Sequence, residues 1–159
     1  MTGALLGSRI TLAPEPLLGA TARALIAELD AELSALYPPE ANFFELEEAE
    51  VEGAGGVFLV ARVDGEPLGC GAVRAIDATS AEIKRMYVRP SGRGKGIGRV
   101  ILGELERLAR AMGVRRMLLE TGGDQPEALL LYERAGYVRV PAFGRYVGAP
   151  LSLCFGKDL

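Results

Sequence analysis

The sequence predicts an α+β protein with a mostly antiparallel sheet, and three observations lead to this fold class. Apolar runs separated by turn residues predict a meander of three antiparallel strands over 57–63, 68–76 and 81–88. A glycine-rich loop and an amphipathic helix then lead to a strand over 115–121. Because this connection is a crossover, that strand should run parallel to the last strand of the meander. A helix and two short strands complete the order.

The first third of the chain is predicted to contain a strand and a long helix. The strand covers 8–13, and apolar residues then recur near the helical period over 18–36. Pro38 and Pro39 end this helix, because proline does not continue one. A short acidic helix is predicted over 43–50.

The second half begins with the crossover helix, which has one apolar stripe and stops at Gly113. A further helix is predicted over 126–135, and closing strands over 137–140 and 151–155. The chain has no internal repeat and no linker, so we expect a single domain over 1–159. The stripe consists of Ile97, Ile101, Leu105, Leu108 and Met112.

Composition excludes several classes of protein. Of 159 residues, 49% are hydrophobic and 25% are charged, which is typical of a globular domain rather than a disordered chain. Histidine is absent, which excludes Ser-His-Asp catalysis and His-ligated zinc or haem. Cys70 and Cys154 lie in apolar stretches, which predicts a reduced, cytoplasmic protein without a disulfide framework. Residues 1–9 lack the cationic start of a signal peptide, and no apolar run would span a membrane.

Charge is strongly segregated along the chain. Ten bases against two acids occupy 84–116, while 28–52 contains nine acids and no base. These segments are either two solvated faces or a basic anion site beside an acidic wall. An acidic wall beside a binding site would favour a cationic ligand, and solubility alone would explain the acidic run equally well. The nine acids are Glu28, Asp30, Glu32, Glu40, Glu45, Glu47, Glu48, Glu50 and Glu52.

The densest motif is the glycine-rich loop over 88–99, which directly follows a strand and begins a helix. Free amides at a helix N-terminus form an anion cradle, and glycine lets a phosphate approach the backbone. A glycine-rich turn chosen only for its geometry is the alternative. The loop lacks the P-loop pattern. It is also a poor dinucleotide fingerprint, because the strand before it belongs to a meander and no acid follows about 20 residues later at a strand end.

Two motifs in the right order resemble the GNAT family of N-acetyltransferases. Residues 88–98 contain Arg93-Gly94-Lys95-Gly96-Ile97-Gly98, which is similar to that family's acetyl-CoA-binding motif, Arg/Gln-x-x-Gly-x-Gly/Ala. Residues 125–137 are similar to its Asn-x-x-Ala-x-x-Leu-Tyr-Glu-x-x-Gly-Phe segment. The chain departs from the second pattern with Gln125 in place of Asn and Tyr137 in place of Phe.

The resemblance implies the GNAT fold, a mixed, mostly antiparallel central sheet flanked by helices, with a splayed parallel strand pair that binds acetyl-CoA. It implies an acetyl-CoA-dependent N-acetyltransferase that needs no metal and moves the acetyl group directly to a primary amine. The implied cofactor-binding residues are the backbone of Met86, Tyr87 and Val88, the cradle of Arg93, Gly94, Lys95, Gly96, Ile97, Gly98 and Arg99, and also Gln125 and Tyr132.

Two side chains match catalytic positions of the family. Tyr132 matches a general acid toward the leaving sulfur, although it could also be a core aromatic residue. Glu82 matches a base used by some members, and an ion pair with Lys84 is an equally good explanation. Alternation places Glu82, Lys84, Met86 and Val88 on one face of their strand. Glu120, Asp124 or a water relay are the other candidates for the base.

The acceptor is expected to be a small-molecule amine. The alternatives are a protein N-terminus or lysine, or a non-catalytic module that only binds acyl-CoA. Nucleic acid is disfavoured because the acidic segment would repel it, and a homodimer is an assembly that the resemblance allows. The candidate substrate-binding residues, each of which could equally be surface or packing, are Tyr37, Phe43, Arg74, Arg85, Arg145 and Tyr146.

Overall fold

Alternating apolar residues and turn signals form a seven-stranded sheet in the computed structural model, which describes residues 9–159. The strands are β1 (Ile10–Pro14), β2 (Gly56–Val63), β3 (Glu66–Ala75), β4 (Ser80–Val88), β5 (Arg116–Gly122), β6 (Val138–Arg139) and β7 (Ser152–Asp158). The helices are α1 (Ala20–Leu36), α2 (Glu48–Val51), α3 (Ile97–Ala111) and α4 (Pro126–Arg134).

The strand order is β1-β2-β3-β4-β5-β7-β6, and every neighbouring pair is antiparallel except β4 and β5. These two parallel strands pair only from Ser80 opposite Arg116 to Ile83 opposite Leu119. Beyond Ile83 they diverge, which opens a gap at their carboxyl ends. The α+β class, the parallel crossover and the splayed strand pair are therefore confirmed.

Three predicted elements differ in their bounds. The first strand begins at Ile10, and Ser8 lies outside the described residues, as does most of the N-terminal segment considered for a signal peptide. The predicted acidic helix over 43–50 is wrong in extent, because α2 begins only at Glu48. Glu47 and Glu50 form a capping box there, which fixes the start of the helix. The strand predicted over 137–140 is reduced to two residues.

The sheet separates two apolar clusters. On one side the stripe of α3, including Ile101 and Leu105, packs against β-strand residues such as Met117. On the other side α1 packs through residues such as Leu25 against Phe58 and others. Close packing of α3 requires a glycine at position 71, because a Cβ there would lie 2.9 Å from Cγ2 of Ile101. The glycine-rich loop that begins α3 therefore lies on the α3 side, and α1 covers the opposite face.

A β-bulge in β4 breaks the expected alternation of side chains. Arg85 has a φ of 57°, and the register with β3 shifts between Cys70 and Ala72. As a result Ile83 and Met86, which are three residues apart, both pack in the cluster under α3. The prediction that Glu82, Lys84, Met86 and Val88 share one face is therefore wrong, because a bulge adds one residue to the strand.

The acidic and basic segments pair with each other. Five of the nine acids between positions 28 and 52 form ion pairs with arginines, so about half of the acidic run is neutralised within the fold. Three of these pairs join α1 to β4 and the loop that follows it. The pairs are Glu28–Arg89 at 2.7 Å, Asp30–Arg85, Glu32–Arg93 at 2.7 Å, Glu45–Arg145 at 2.8 Å and Glu50–Arg74 at 3.1 Å.

Over residues 9–159, the structure contains no helix with the length and apolar character needed to cross a bilayer. Within the same range, no group of three or more Cys, Asp or Glu side chains is arranged to hold a metal ion.

Candidate active site

A cleft lies where β4 and β5 diverge, and it contains about 770 Å³ of empty space that is partly open to solvent. Its floor comes from the two strands, and α1, the segment after α1, and α4 form its walls. Its lining includes Leu29, Leu33, Tyr37, Asn42, Phe43, Phe44, Glu82, Lys84, Arg85, Met86, Glu120, Gln125, Tyr132 and Tyr146.

The glycine-rich loop forms an anion cradle at the start of α3. Gly96 is the N-cap with a φ of 84°, and Gly94 has a φ of 76°, a left-handed conformation that favours glycine. The amides of Ile97, Gly98 and Arg99 begin the helix, so no helical carbonyl precedes them to accept their hydrogen bonds. Together with the helix dipole, these amides favour a bound phosphate.

The basic side chains of the loop differ in where they point. Arg93 points back onto the fold, where its Nε donates to the carbonyl oxygen of Val88 at 2.9 Å and its Nη2 donates to Glu32 at 2.7 Å. Lys95 and Arg99 are exposed. The backbone amides, rather than the Arg93 guanidinium, are therefore the main anion-binding groups that this loop presents.

The backbone of Met86, Tyr87 and Val88 follows the point where β5 leaves β4. On the other edge of β4, Tyr87 is paired with Cys70 and Val88 with Gly69 of β3. The edge toward the cleft has no strand partner. Apart from the Val88 carbonyl, which accepts from Arg93, its polar groups can therefore pair with an amide-containing chain as a strand would.

Tyr132 of α4 lines the cleft and is only 6% exposed. Burial raises the pKa of its hydroxyl, so the group stays protonated at neutral pH. Its ring packs edge-to-face on Tyr137 with the centroids 5.9 Å apart. Tyr132 is therefore both a core aromatic residue and a protonated hydroxyl at the cleft. The geometry is compatible with a packing role and with a role as general acid.

Tyr137, which replaces the family's phenylalanine, has a structural explanation. Its hydroxyl donates to buried Glu106 of α3 at 2.8 Å, and Lys157 of β7 donates to the same carboxylate at 3.1 Å. The extra hydroxyl therefore satisfies a buried carboxylate on the side of the sheet away from the acceptor.

Gln125, which replaces the family's asparagine, caps the turn between β5 and α4. Its Oε1 accepts from the amide of Gly122 at 3.3 Å, from Oγ1 of Thr121 at 3.2 Å and from the hydroxyl of Tyr37 at 3.4 Å. The Tyr37 hydroxyl in turn accepts from the amide of Asp124 at 3.0 Å. Gln125 therefore links the cofactor side of the cleft to the segment after α1.

Glu82 is 1% exposed, and its partner is Arg74 rather than Lys84. Arg74 donates to Oε1 through Nη2 at 2.7 Å and Nε at 3.0 Å, while the hydroxyl of Tyr146 donates to Oε2 at 2.5 Å. Both carboxylate oxygens thus have close donors, which hold the side chain in place. Glu82 is therefore in an ion pair, but the predicted pairing with Lys84 is wrong, because Arg74 of β3 occupies that role.

Glu120 lies opposite on β5, where the strands diverge. Burial raises the pKa of its carboxyl, although a hydrogen bond from Ser152 at 2.6 Å lowers it. Asp124, the other fallback base, is exposed and does not line the cleft. Among these two fallback carboxylates, Glu120 therefore has the position of a base.

The acceptor-side predictions divide into two groups. Tyr37, Phe43, Arg85 and Tyr146 line the cleft, and the rings of Phe43 and Tyr146 pack edge-to-face at 5.0 Å. The other two, Arg74 and Arg145, line an adjacent cavity of about 460 Å³ to which Tyr146 also contributes.

None of the nine acids between positions 28 and 52 lines the cleft. Since five of them are paired with arginines, this segment does not form the acidic wall that would favour a cationic acceptor. The charged groups of the cleft are instead Glu82, Glu120, Lys84 and Arg85.

Sequence reasoning missed Lys84 as a cleft residue, and considered it only as a partner of Glu82. Lys84 is 6% exposed and its Nζ lies 3.5 Å from the hydroxyl of Tyr146. Asn42, Leu29 and Leu33 were also missed. The Glu-x-Lys spacing could have predicted Lys84 beside Glu82, because alternate residues of a strand share a face. No pattern in the sequence predicts that Asn42 lies near β4.

Comparison with known proteins agrees with this geometry. The sequence model described as the Acetyltransferase (GNAT) family matches residues 23–137. An IAA acetyltransferase of Azospirillum brasilense is 42% identical over 152 residues, which cover 94% of this chain and 98% of the relative. A solved structure of an acyl-CoA N-acyltransferase from Klebsiella pneumoniae is 34% identical with a TM-score of 0.81, covering 94% of this chain and 97% of that one.

A GNAT family acetyltransferase from Elizabethkingia anophelis, solved with acetyl-CoA bound, has the same fold. Its TM-score is 0.68 at 19% identity, with 94% of this chain and 98% of that chain covered. The chain described here belongs to the GNAT family of acetyltransferases. It is an acetyl-CoA-dependent N-acetyltransferase.

Proposed function

We propose that this enzyme acetylates a primary amine of a small molecule. The observation that carries the proposal is the enclosure of the acceptor side by aromatic rings. Phe43, Phe44, Tyr37 and Tyr146 surround the cleft beside β4, and Leu29 and Leu33 of α1 close it further. A pocket with such walls suits a compact ligand better than an extended peptide. The name of the Azospirillum relative, an IAA acetyltransferase, agrees with a small acceptor.

The cofactor-binding residues expected from the sequence fit acetyl-CoA. The loop amides from Arg93 to Arg99 would hold the pyrophosphate, because two glycines there have left-handed conformations that expose the backbone. The open edge of β4 at Met86, Tyr87 and Val88 would pair with the amides of the pantetheine arm. Gln125 would contact the same arm from the start of α4. When bound, acetyl-CoA supplies a thioester carbonyl that an amine attacks.

Three groups of the chain then have separate roles. A backbone N–H near Tyr87 or Val88 donates to the carbonyl oxygen as negative charge develops there. Tyr132 holds a proton on its hydroxyl that passes to the departing sulfur. Glu120 accepts a proton from the acceptor amine, directly or through a water molecule, because burial keeps its pKa above the ordinary value. Glu82 stays a second candidate base, held in place by Arg74 and Tyr146.

The test is CoA release from acetyl-CoA over a panel of small amines, lysine-containing peptides and peptides with free N-termini. We expect small amines to give the highest kcat/KM. Faster reaction with the peptides would support acetylation of a protein instead. Tight acetyl-CoA binding without release of CoA on any amine would support a non-catalytic binding module.

Two further predictions from the sequence complete the proposal. We propose a cytoplasmic location, which the buried, unpaired Cys70 and Cys154 support, since burial raises the pKa of Cys70 to about 12 and keeps that thiol unreactive. We also propose that the protein forms a homodimer, which light scattering after size exclusion would test.

A further inference from the structure

Two consecutive cationic side chains line the acceptor side of the cleft. Lys84 is 6% exposed and Arg85 is 7% exposed. In a regular strand, neighbouring side chains point to opposite faces. The bulge at Arg85, with its φ of 57°, allows both to border the same cleft.

Neither carboxylate of the cleft forms a close ion pair with Lys84. Glu82 is held by Arg74 and Tyr146, and Glu120 accepts from Ser152. The polar contact of Lys84 Nζ is the hydroxyl of Tyr146 at 3.5 Å, and no carboxylate in residues 9–159 lies within 4 Å of it. A buried ammonium without a close ion pair is costly unless a ligand supplies the opposite charge.

Arg85 has an unused donor in the same place. Its Nη2 pairs with Asp30, and its guanidinium lies over the ring of Phe44 with 5.1 Å between Cζ and the ring centroid. Its Nε is, among the described residues, the buried side-chain nitrogen or oxygen that lacks a hydrogen-bond partner. Buried polar groups in native proteins are nearly always satisfied, so such a group points to a partner that binds.

We infer that the acceptor amine also carries a carboxylate, which Lys84 and Arg85 bind. The inference rests on the proposed function and names its substrate class. The carboxylate accepts from Nζ of Lys84 and Nε of Arg85, and an apolar or aromatic portion lies among Leu33, Phe43 and Phe44. The substrate class is therefore an amino acid or a related small amino carboxylate.

The electrostatics of Lys84 agree with an anionic ligand. Burial lowers the pKa of its amine most strongly, and the charges of Arg145, Arg74 and Arg85 lower it further, whereas Glu82 raises it. A carboxylate bound beside Lys84 would reverse much of this effect, because an opposite charge favours the protonated amine.

The experiment uses the wild-type enzyme with matched sets of acceptors. Each set contains an amino acid, its amide and its decarboxylated amine, and the sets run from glycine through leucine to phenylalanine and tryptophan, with β- and γ-amino acids added. We expect the carboxylate form to have a kcat/KM about tenfold to a hundredfold above its amide in the best set, because hydrogen bonds to charged groups contribute that much. Equal or faster reaction of the amides and decarboxylated amines would overturn the inference and leave the proposed function standing.

Variants test whether these two side chains bind the carboxylate. In Lys84→Met and Arg85→Gln, we expect KM for the amino acid to rise about tenfold or more, with little change for the decarboxylated amine. Arg107→Gln is the matched control, because Arg107 is exposed on α3 and pairs with Glu104. A carboxylate preference that survives both cleft substitutions would overturn the assignment.

A binding measurement makes the test independent of turnover. Isothermal titration of the wild-type enzyme and CoA with 3-phenylpropionate, which lacks the amine, should detect binding that 3-phenylpropionamide does not show. Equal binding of acid and amide would contradict the inference, even if neither variant could be purified folded. CoA release with none of the amines would contradict the proposed function instead.

Discussion

The hydroxyl of Tyr146 donates to Oε2 of Glu82 across 2.5 Å, joining the segment before β7 to the middle of β4. The same carboxylate accepts two hydrogen bonds from Arg74 of β3. One buried charge therefore holds three parts of the chain together beneath the acceptor side of the cleft. Glu82, which matches the position of a catalytic base in some family members, therefore also has a structural role.

Replacing Glu82 with Gln should separate these roles. We expect the free energy of unfolding to fall by about 2 kcal/mol, because Arg74 loses its buried charged partner and keeps only Glu50. If Glu82 is only structural, kcat/KM of the folded variant still falls at low pH as in the wild type, which is the acidic limb of the profile. Loss of that limb would identify Glu82 as the base. Denaturant unfolding and a pH–rate profile measure the two effects.

Glu120→Gln should remove the acidic limb instead. A base works only when it is deprotonated, so activity in the wild type should fall as the pH drops through the pKa of Glu120, which burial holds above the ordinary carboxyl value. We expect kcat/KM to decrease about a hundredfold in the variant and to become nearly independent of pH there. Asp124→Asn, at an exposed position, is the control and should keep the profile. An unchanged profile in Glu120→Gln would point to a water relay.

Tyr132→Phe should lower kcat about a hundredfold while leaving the Kd for acetyl-CoA nearly unchanged, because only the proton donor is lost. The control is Tyr137→Phe, which removes the hydroxyl of the neighbouring ring and weakens the contact with Glu106. That variant should lose about 1–2 kcal/mol of stability and keep its kcat. Full turnover in Tyr132→Phe would assign Tyr132 to packing alone.

Gly96→Val should weaken acetyl-CoA binding at the cradle. Gly113→Val is a matched control, since the two glycines have φ values of 84° and 86° at opposite ends of α3. Each substitution should cost about 1–2 kcal/mol of stability, because both positions are left-handed. Only Gly96→Val should also raise the Kd for acetyl-CoA in titration calorimetry. Undiminished affinity in a folded Gly96→Val protein would show that the phosphate lies elsewhere.

Sequence reasoning predicted the fold well because each element has a local signal. The stripe that begins at Ile97 and the capping glycines around it define α3, and the crossover then requires a parallel strand. The predicted alternation of side chains along β4 was wrong beyond Arg85, because a bulge depends on packing between strands that are distant in sequence. The extent of α2 was also missed, since Phe43 and Phe44 line the cleft instead of continuing a helix.

The cofactor side of the candidate site was more predictable than the acceptor side. The cradle is one continuous segment with glycines at fixed positions, whereas the acceptor pocket joins α1, β4 and the segment before β7. The acidic run between positions 28 and 52 illustrates the difficulty. Its charges are conspicuous in the sequence, but their partners, such as Arg89 for Glu28, lie far away along the chain.

The division of the interior by the sheet has an evolutionary consequence. Residues that shape the acceptor pocket, such as Leu29, pack in the cluster under α1, while the cradle and Tyr132 belong with the cluster under α3. Substitutions at well-separated sites without shared contacts have nearly additive effects on stability. A lineage could therefore exchange apolar α1 residues such as Leu29 and acquire new acceptors, provided that Glu28 and Glu32 of α1 keep their ion pairs with Arg89 and Arg93.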